Sequence, residues 1–164
     1  MSESRPPRTR TAYQTAIRLL SRRELSAAQL RDRLLARDLP ATEVAQAIAR
    51  LTTERLVDDA RAAAAHARRL VGVRHRGALR ARREIEALGI APETARRAVD
   101  AVVAEIGDTV LLERAIARRL RGPIRDRAHF RRVYQALLRQ GFRPDEVARA
   151  LVARAGGDPA CVEE

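Results

Sequence analysis

Residues 30–51 read LRDRLLARDLPATEVAQAIARL, and the same pattern of apolar and polar residues returns twice further along the chain. The second copy begins 51 positions later, at residues 81–102, and the third begins 52 positions after that, at residues 133–154. The apolar residues are spaced i, i+4 and then i, i+4, i+7, except that the last position of the third copy is Arg154. This spacing places the apolar residues on one face of a helix. The pattern therefore predicts a tandem repeat. One triplet of equivalent core positions is Leu34, Ile85 and Leu137.

A break divides each copy into two halves. In the first copy the break is Asp38-Leu39-Pro40, whereas the second has Gly89 before Pro92 and the third has Gly141 before Pro144. Glycine suits the left-handed residue just past a helix, and proline suits the first turn of the next helix. Each copy is therefore predicted to form two helices joined by a tight turn.

One more helix is predicted before each of the three pairs. The first of these helices is expected to have an apolar face formed by Tyr13, Ile17 and Leu20. The third is expected to have a face formed by Leu112, Ile116 and Leu120. No stretch shows the sustained alternation of a strand, so we predict an all-α fold, an elongated array of three tandem three-helix repeats.

These signals divide the chain into five segments. They are a disordered basic tail at 1–10, three-helix repeats at 11–57, 58–106 and 107–155, and a flexible tail at 156–164.

The composition indicates an anionic partner. The 33 basic residues, all of them arginine, outnumber 21 acidic residues and give a net charge of +12. Such a charge favours nucleic acid, an acidic protein surface or anionic lipid. No apolar run approaches the roughly 20 residues of a membrane span. The basic start of the chain has no apolar segment of the kind that a signal peptide carries, so no signal peptide is expected. The lone Cys161 predicts no disulfide framework and a reducing compartment, so we expect the cytoplasm. We also expect a monomer that does not contact a membrane.

No catalytic, cofactor-binding or metal-binding residue is predicted. The three histidines, His66, His75 and His129, have no metal-ligand spacing, and no glycine-rich phosphate loop is present. Asp58 and Asp59 could form a carboxylate pair for acid–base chemistry or metal binding. The following Ala60-Arg61-Ala62-Ala63 run instead favours a capping role, with the pair at the positive end of the fourth helix. An enzyme is not expected.

The arginines are the most informative residues. The interval 60–83 holds eight of them and no acid, and the interval 114–132 holds eight more with Asp126 as its one acid. Guanidinium groups suit phosphates and carboxylates alike, and the alternative is a solvated basic face. The predicted partner-binding residues are Arg68, Arg69, Arg74, Arg76, Arg80, Arg82, Arg83, Arg118, Arg119, Arg121 and Arg125.

Four segments resemble the RecX family, the bacterial regulatory proteins of the RecA recombinase. Residues 56–61, Leu-Val-Asp-Asp-Ala-Arg, resemble its Leu-Asp-Asp signature. Residues 74–90 resemble its central repeat, residues 133–142 its third repeat, and residues 21–34 its opening. The central segment contains Gly77 and Gly89, and the third contains Gly141. The resemblance covers about residues 12–153, with the pieces in the order of the family.

The resemblance implies an all-helical modulator that lies in the groove of the RecA–single-stranded DNA filament. There it restrains strand exchange, ATP turnover and co-protease activity, in DNA repair and the SOS response. The chain departs from the family at Ala62, where phenylalanine is usual, and at Ala81, where a β-branched apolar residue is usual. Both departures weaken packing around the central repeat.

Two other classes of function are compatible with the residues alone. One is a nucleic-acid-binding module that contacts phosphates without sequence preference and acts without RecA. The other is a structural helical adaptor. The lack of tryptophan and the aromatic content of only 2% argue against single-strand binding by base stacking.

Overall fold

A computed structural model describes residues 11–155, and this part of the chain consists of helices and turns without a strand. The predicted all-α fold is confirmed, whereas Cys161 and the predicted tails at 1–10 and 156–164 lie outside the described residues. The helices are α1 Ala12–Leu20, α2 Ala27–Leu35, α3 Ala41–Thr53, α4 Asp59–Ala67, α5 Ala78–Glu86, α6 Pro92–Ile106, α7 Asp108–Ala117, α8 Arg127–Gln140 and α9 Pro144–Arg154. Within residues 11–155, none of these helices has the length and apolar character needed to cross a bilayer.

The chain divides into two compact units, Met1–Ala62 and Ala63–Glu164. In the first unit, α1, α2 and α3 all pack against one another. In the second unit, α6 packs against α5 and α7, and α8 packs against α7 and α9. The boundaries of the three repeats at residues 58 and 107 stay predictions.

The repeat is visible in the two cores. Leu34, Ile85 and Leu137 are each fully buried, as their equivalent positions predict. The breaks are equivalent too, because Asp38, Gly89 and Gly141 have positive φ angles of 58°, 76° and 92°. Asp38 therefore occupies in the first repeat the left-handed position that glycine occupies in the other two.

The buried face of α1 differs from the predicted one. Ala12 and Ala16 are buried, whereas Ile17 is exposed and Tyr13 is half-buried. The small alanines allow α1 to approach α2 and α3 closely, so the helix is rotated by about one residue from the expected face. The Tyr13 hydroxyl reaches outward and donates a hydrogen bond to Glu54. In α7, Leu112 and Ile116 are buried as predicted, but Leu120 lies beyond the helix end at Ala117 and is half-buried.

The fourth helix also departs from expectation at its end. It continues past Ala67 as a π-helical segment, Arg68–Val73, whose buried residues are Leu70 and Val71. This π segment packs against α5 and α6 and leaves Arg68 and Arg69 exposed. A π turn closes on the fifth residue rather than the fourth, as in the bond from the Arg74 amide to the Arg69 carbonyl.

Candidate binding surface

The segment at residues 56–61 makes several polar contacts within the first unit. Asp58 caps α4, since its Oδ1 accepts hydrogen bonds from the amides of Ala60 and Arg61 at 2.8 and 3.0 Å. Asp59 differs from the expectation that the pair caps one helix. Its Oδ1 accepts a 2.9 Å hydrogen bond from the amide of Ala27, the first residue of α2. The two carboxylates therefore serve the starts of two different helices.

The arginine of the same segment makes structural contacts. The Arg61 guanidinium donates to Glu24 Oε1 at 2.8 Å and to the carbonyl oxygens of Arg55 and Leu56 at 3.1 and 3.0 Å. The segment thus uses its polar side chains for hydrogen bonds within the first unit.

Removing the two carboxylates one at a time is expected to loosen different helices. Asp58→Ala and Asp59→Ala should each lower the free energy of unfolding by roughly 0.5–2 kcal/mol, the usual cost of a lost cap. Asp58→Ala should shift the amide resonances of Ala60 and Arg61, and Asp59→Ala that of Ala27. Urea unfolding and amide NMR spectra test this. Perturbation of the same amides by both variants would contradict two separate caps.

Two glycines abut in the second unit. Gly77 precedes α5, Gly141 follows α8, and the amides of Gly77 and Leu79 donate to the carbonyl oxygens of Gln140 and Gly141 at 2.8 and 3.2 Å. A Cβ atom on Gly77 would lie 2.3 Å from the carbonyl carbon and oxygen of Gly141. The start of one helix therefore satisfies the carbonyl groups that the end of the other leaves unpaired. We call this contact the glycine junction.

In the first repeat, a side-chain cap takes the place that the glycine junction has in the second unit. Ser26, 51 positions before Gly77, caps α2 with a side chain that accepts from the Gln29 amide at 3.0 Å. The Gln29 side chain accepts from the Ser26 amide in return, which completes a capping box. In the second unit a capping side chain at position 77 would collide with Gly141, so α5 takes its partners from α8 instead.

Three of the predicted partner-binding arginines are tied into the second unit by acidic residues. Arg80 lies 2.7 Å from Glu84, Arg76 lies 3.6 Å from the same carboxylate, and Arg82 lies 2.6 Å from Asp100. Arg80 also donates a 3.0 Å hydrogen bond to the carbonyl oxygen of Arg139 beside the glycine junction. These three side chains are half-buried. Part of the positive charge of the interval 60–83 is therefore neutralised by Glu84 and Asp100, which lie outside that interval.

The remaining predicted arginines are exposed. Arg69 donates to His66, and Arg119 donates a 3.0 Å hydrogen bond to the side chain of Gln140. Within the described residues, Arg68, Arg74 and Arg83 make no ion pair. The exposed set is Arg68, Arg69, Arg74, Arg83, Arg118, Arg119, Arg121 and Arg125.

His75 marks the place where the two arginine intervals meet. Its backbone is left-handed, with φ of 51°, and its Nδ1 is buried without a hydrogen-bond partner in the described part of the chain. Burial lowers the pKa of His75, and the positive charges of Arg118 and Arg114 lower it further. The end of α7 therefore lies near His75. Arg119 also bonds to Gln140 at the glycine junction, and Arg80 and Arg83 line a groove beside Gly141. We call the arginines of both intervals in this region, Arg74, Arg80, Arg83, Arg118 and Arg119, the basic surface around the glycine junction.

Three acidic side chains of the second unit lie together in a separate groove. A groove between α7 and α9 is lined by Asp108, Glu113 and Glu146 together with Arg149. Burial raises the pKa of Glu146, and the nearby charge of Asp108 raises it further. This groove is partly neutralised, because Arg149 also lines it and Arg154 pairs with Glu113.

The described residues contain no group of three or more histidine, cysteine or acidic side chains placed to hold a metal ion. Sequence reasoning missed Arg139, which lies beside the glycine junction, and the acids Glu84 and Asp100 that hold three of the arginines. Glu84 was detectable, because it follows Arg80 at the i, i+4 spacing of a helical ion pair. Asp100 carried no such local signal.

Comparison with known proteins places this geometry in a family. Residues 12–51 match the family model described as RecX, first three-helix domain. Regulatory protein RecX from Chromohalobacter salexigens is 34% identical over 142 residues, which cover 86% of this chain and 91% of that protein. Regulatory protein RecX from Geobacillus kaustophilus is 32% identical over 150 residues, but the match spans 88% of this chain and only 54% of that longer protein.

Solved structures show the same fold. The crystal structure of RecX from Lactobacillus salivarius superimposes with a TM-score of 0.70 at 18% identity, covering 88% of this chain and 94% of that one. A second crystal structure, of a regulatory protein RecX, gives a TM-score of 0.69 at 21% identity, covering 87% of this chain and 70% of that one.

Repeated helical units without a strand in residues 11–155 define the class as an all-helical repeat protein. Within that class, the match to the Chromohalobacter salexigens protein identifies the family, because it is 34% identical and covers 91% of that protein. The chain belongs to the RecX family.

Proposed function

We propose that this chain binds the filament that RecA forms on single-stranded DNA and restrains its recombinase, ATPase and co-protease activities, in DNA repair and the SOS response. It does so by occupying the filament without catalysing a reaction. The observation that carries the proposal is the meeting of two arginine intervals around the glycine junction. Residues 74–90 and 133–142, which resemble the family, supply both sides of that junction.

The aromatic residues favour the filament over free single-stranded DNA. All four lie in the described part of the chain, and Phe130 and Phe142 are buried. Tyr134 stacks on Phe130, and Tyr13 is covered by the Arg50 guanidinium. Bases that stack on protein need open aromatic faces. A basic surface without such faces suits phosphates and acidic side chains that are already arranged on a filament.

The competing function is a nucleic-acid-binding module that acts without RecA, and the net charge of +12 favours it. Binding to single-stranded DNA alone, to RecA alone, and to RecA assembled on single-stranded DNA with a nucleotide separates the two. We expect the tightest binding to the assembled filament. It should weaken as salt rises, because exposed charges are screened within about 10 Å at 0.1 M. Equal affinity for free DNA and filament would favour the competing function.

A further inference from the structure

A groove runs beside the glycine junction, between α5 and the turn that joins α8 to α9. Its volume is about 460 Å³. Its apolar lining comes from Leu79, Leu138, Phe142 and Pro144. Leu79 is 40% exposed, so part of this apolar lining faces solvent. The groove therefore offers an open apolar floor.

Arginines form the rim of this groove. Arg80, Arg83 and Arg139 all line it. Arg80 is held by Glu84 and by the Arg139 carbonyl oxygen, so two of its five N–H donors are occupied while its charge remains at the rim. The side chains of Arg83 and Arg139 are exposed and make no ion pair with the described residues. Their guanidinium groups remain available to a carboxylate or a phosphate.

The apolar floor of the groove favours a carboxylate on a protein over a phosphate on a nucleic acid as the ligand. A nucleic-acid backbone could pair with the arginines, but its phosphates gain nothing from leucine and proline side chains. A base would need an open aromatic face, and Phe142 is buried. A protein segment that combines acidic residues with one large apolar side chain matches both the rim and the floor.

We propose that this groove binds an acidic segment of a partner protein, which inserts one large apolar side chain over Leu79, Leu138 and Phe142. The partner's identity rests on the proposed function, under which the segment belongs to the protein component of the filament. The remainder of the basic surface is then left for phosphates. The second unit would then bind protein in the groove and nucleic acid at the neighbouring arginines.

A labelled peptide tests the groove in the absence of RecA. The probe is a short fluorescein-labelled peptide of aspartate and glutamate residues with one central phenylalanine, and its control has serine at the centre. Fluorescence anisotropy should show binding of the probe to the full chain. The control peptide should bind at least about 10-fold more weakly, a difference of about 1.4 kcal/mol, because it has no large apolar side chain to place on the groove floor. Equal binding of both peptides would mean that charge alone attracts them and would overturn the proposal.

Matched variants locate the binding site. Leu79→Ser and Arg83→Glu should each weaken probe binding by about 10-fold or more, a change of about 1.4 kcal/mol. Val110→Ser is the control, because Val110 on α7 is exposed to a similar degree, 42% against 40%, and does not line the groove. Wild-type affinity in Leu79→Ser would overturn the proposal.

A competition experiment separates the protein segment from nucleic acid. Single-stranded oligothymidylate should leave binding of the probe largely intact in wild-type protein. If the oligonucleotide displaces the probe and its own affinity falls equally in Leu79→Ser, the groove is a nucleic-acid site and the proposal is wrong. The proposed function fails separately, when wild-type protein does not bind the RecA filament.

Discussion

Replacing Gly77 by alanine is expected to lower the free energy of unfolding of the second unit by roughly 3 kcal/mol, at the upper end of the cost of overpacking. The added methyl group would lie 2.3 Å from the backbone carbonyl of Gly141 and 2.4 Å from the Phe142 nitrogen. Backbone atoms cannot rotate away as a flexible side chain can. The junction must therefore open, which would also weaken the two hydrogen bonds that join α5 to α8.

Gly122→Ala provides the control, because no atom lies within 4 Å of the position a Cβ would take there. Its effect should stay within about 0.5 kcal/mol, as for most surface substitutions. Urea unfolding followed by circular dichroism measures both variants. Similar stabilities for Gly77→Ala and Gly122→Ala would show that the two helix ends do not touch in solution.

Reversing three exposed arginines on the second unit is expected to reduce affinity for the RecA–single-stranded DNA filament by about 100-fold. The variant is Arg74→Glu/Arg83→Glu/Arg118→Glu. The expected loss of about 2.7 kcal/mol amounts to about 0.9 kcal/mol for each charge, within the range of exposed ion pairs. Inhibition of strand exchange should fall in parallel. Arg76 and Arg80 are left unchanged because each lies beside Glu84, and reversing them would disturb the fold.

The matched control reverses three exposed arginines of the first unit, Arg18→Glu/Arg22→Glu/Arg31→Glu. Both variants change the net charge by the same amount, so a difference between them reports on place rather than on total charge. Circular dichroism should give the same helical signal for both. If the control loses filament binding while the variant of the second unit keeps it, the basic surface around the glycine junction is only solvated.

The helices and their breaks could be predicted because the information is local. The spacing of Leu34, Ile85 and Leu137, with the breaks that follow each of them, is enough to place two helices and a turn. The buried face of α1 could not be predicted in the same way. Ala12 and Ala16 are weakly apolar, and only the close approach of α2 and α3 makes them core residues instead of Ile17.

The binding surface was predictable only in part. Charge segregation picked out the arginines, and the helical spacing of Arg80 and Glu84 could have shown that one of them was paired. The pairing of Arg82 with Asp100 depends on how α5 packs against α6. The bond from Asp59 to Ala27 likewise joins residues 32 positions apart. Such contacts arise from the tertiary arrangement, which one sequence without its structure does not specify.

The glycine junction forms late during synthesis, because it joins residues 77 and 79 to residues 140 and 141. In the first repeat, the amide of Ala27 at the start of α2 can bond to Asp59 as soon as Asp59 has left the ribosome. The helix that begins after Gly77 has to wait for Gln140 and Gly141, which are made much later. Until then the first amides of α5 have only water as a partner, and the second repeat depends on the packing of α6 against α5 and the π segment. A chain that pauses between the two repeats would therefore hold a first repeat with its helix-start contacts made and a second repeat that still lacks the contacts from α8.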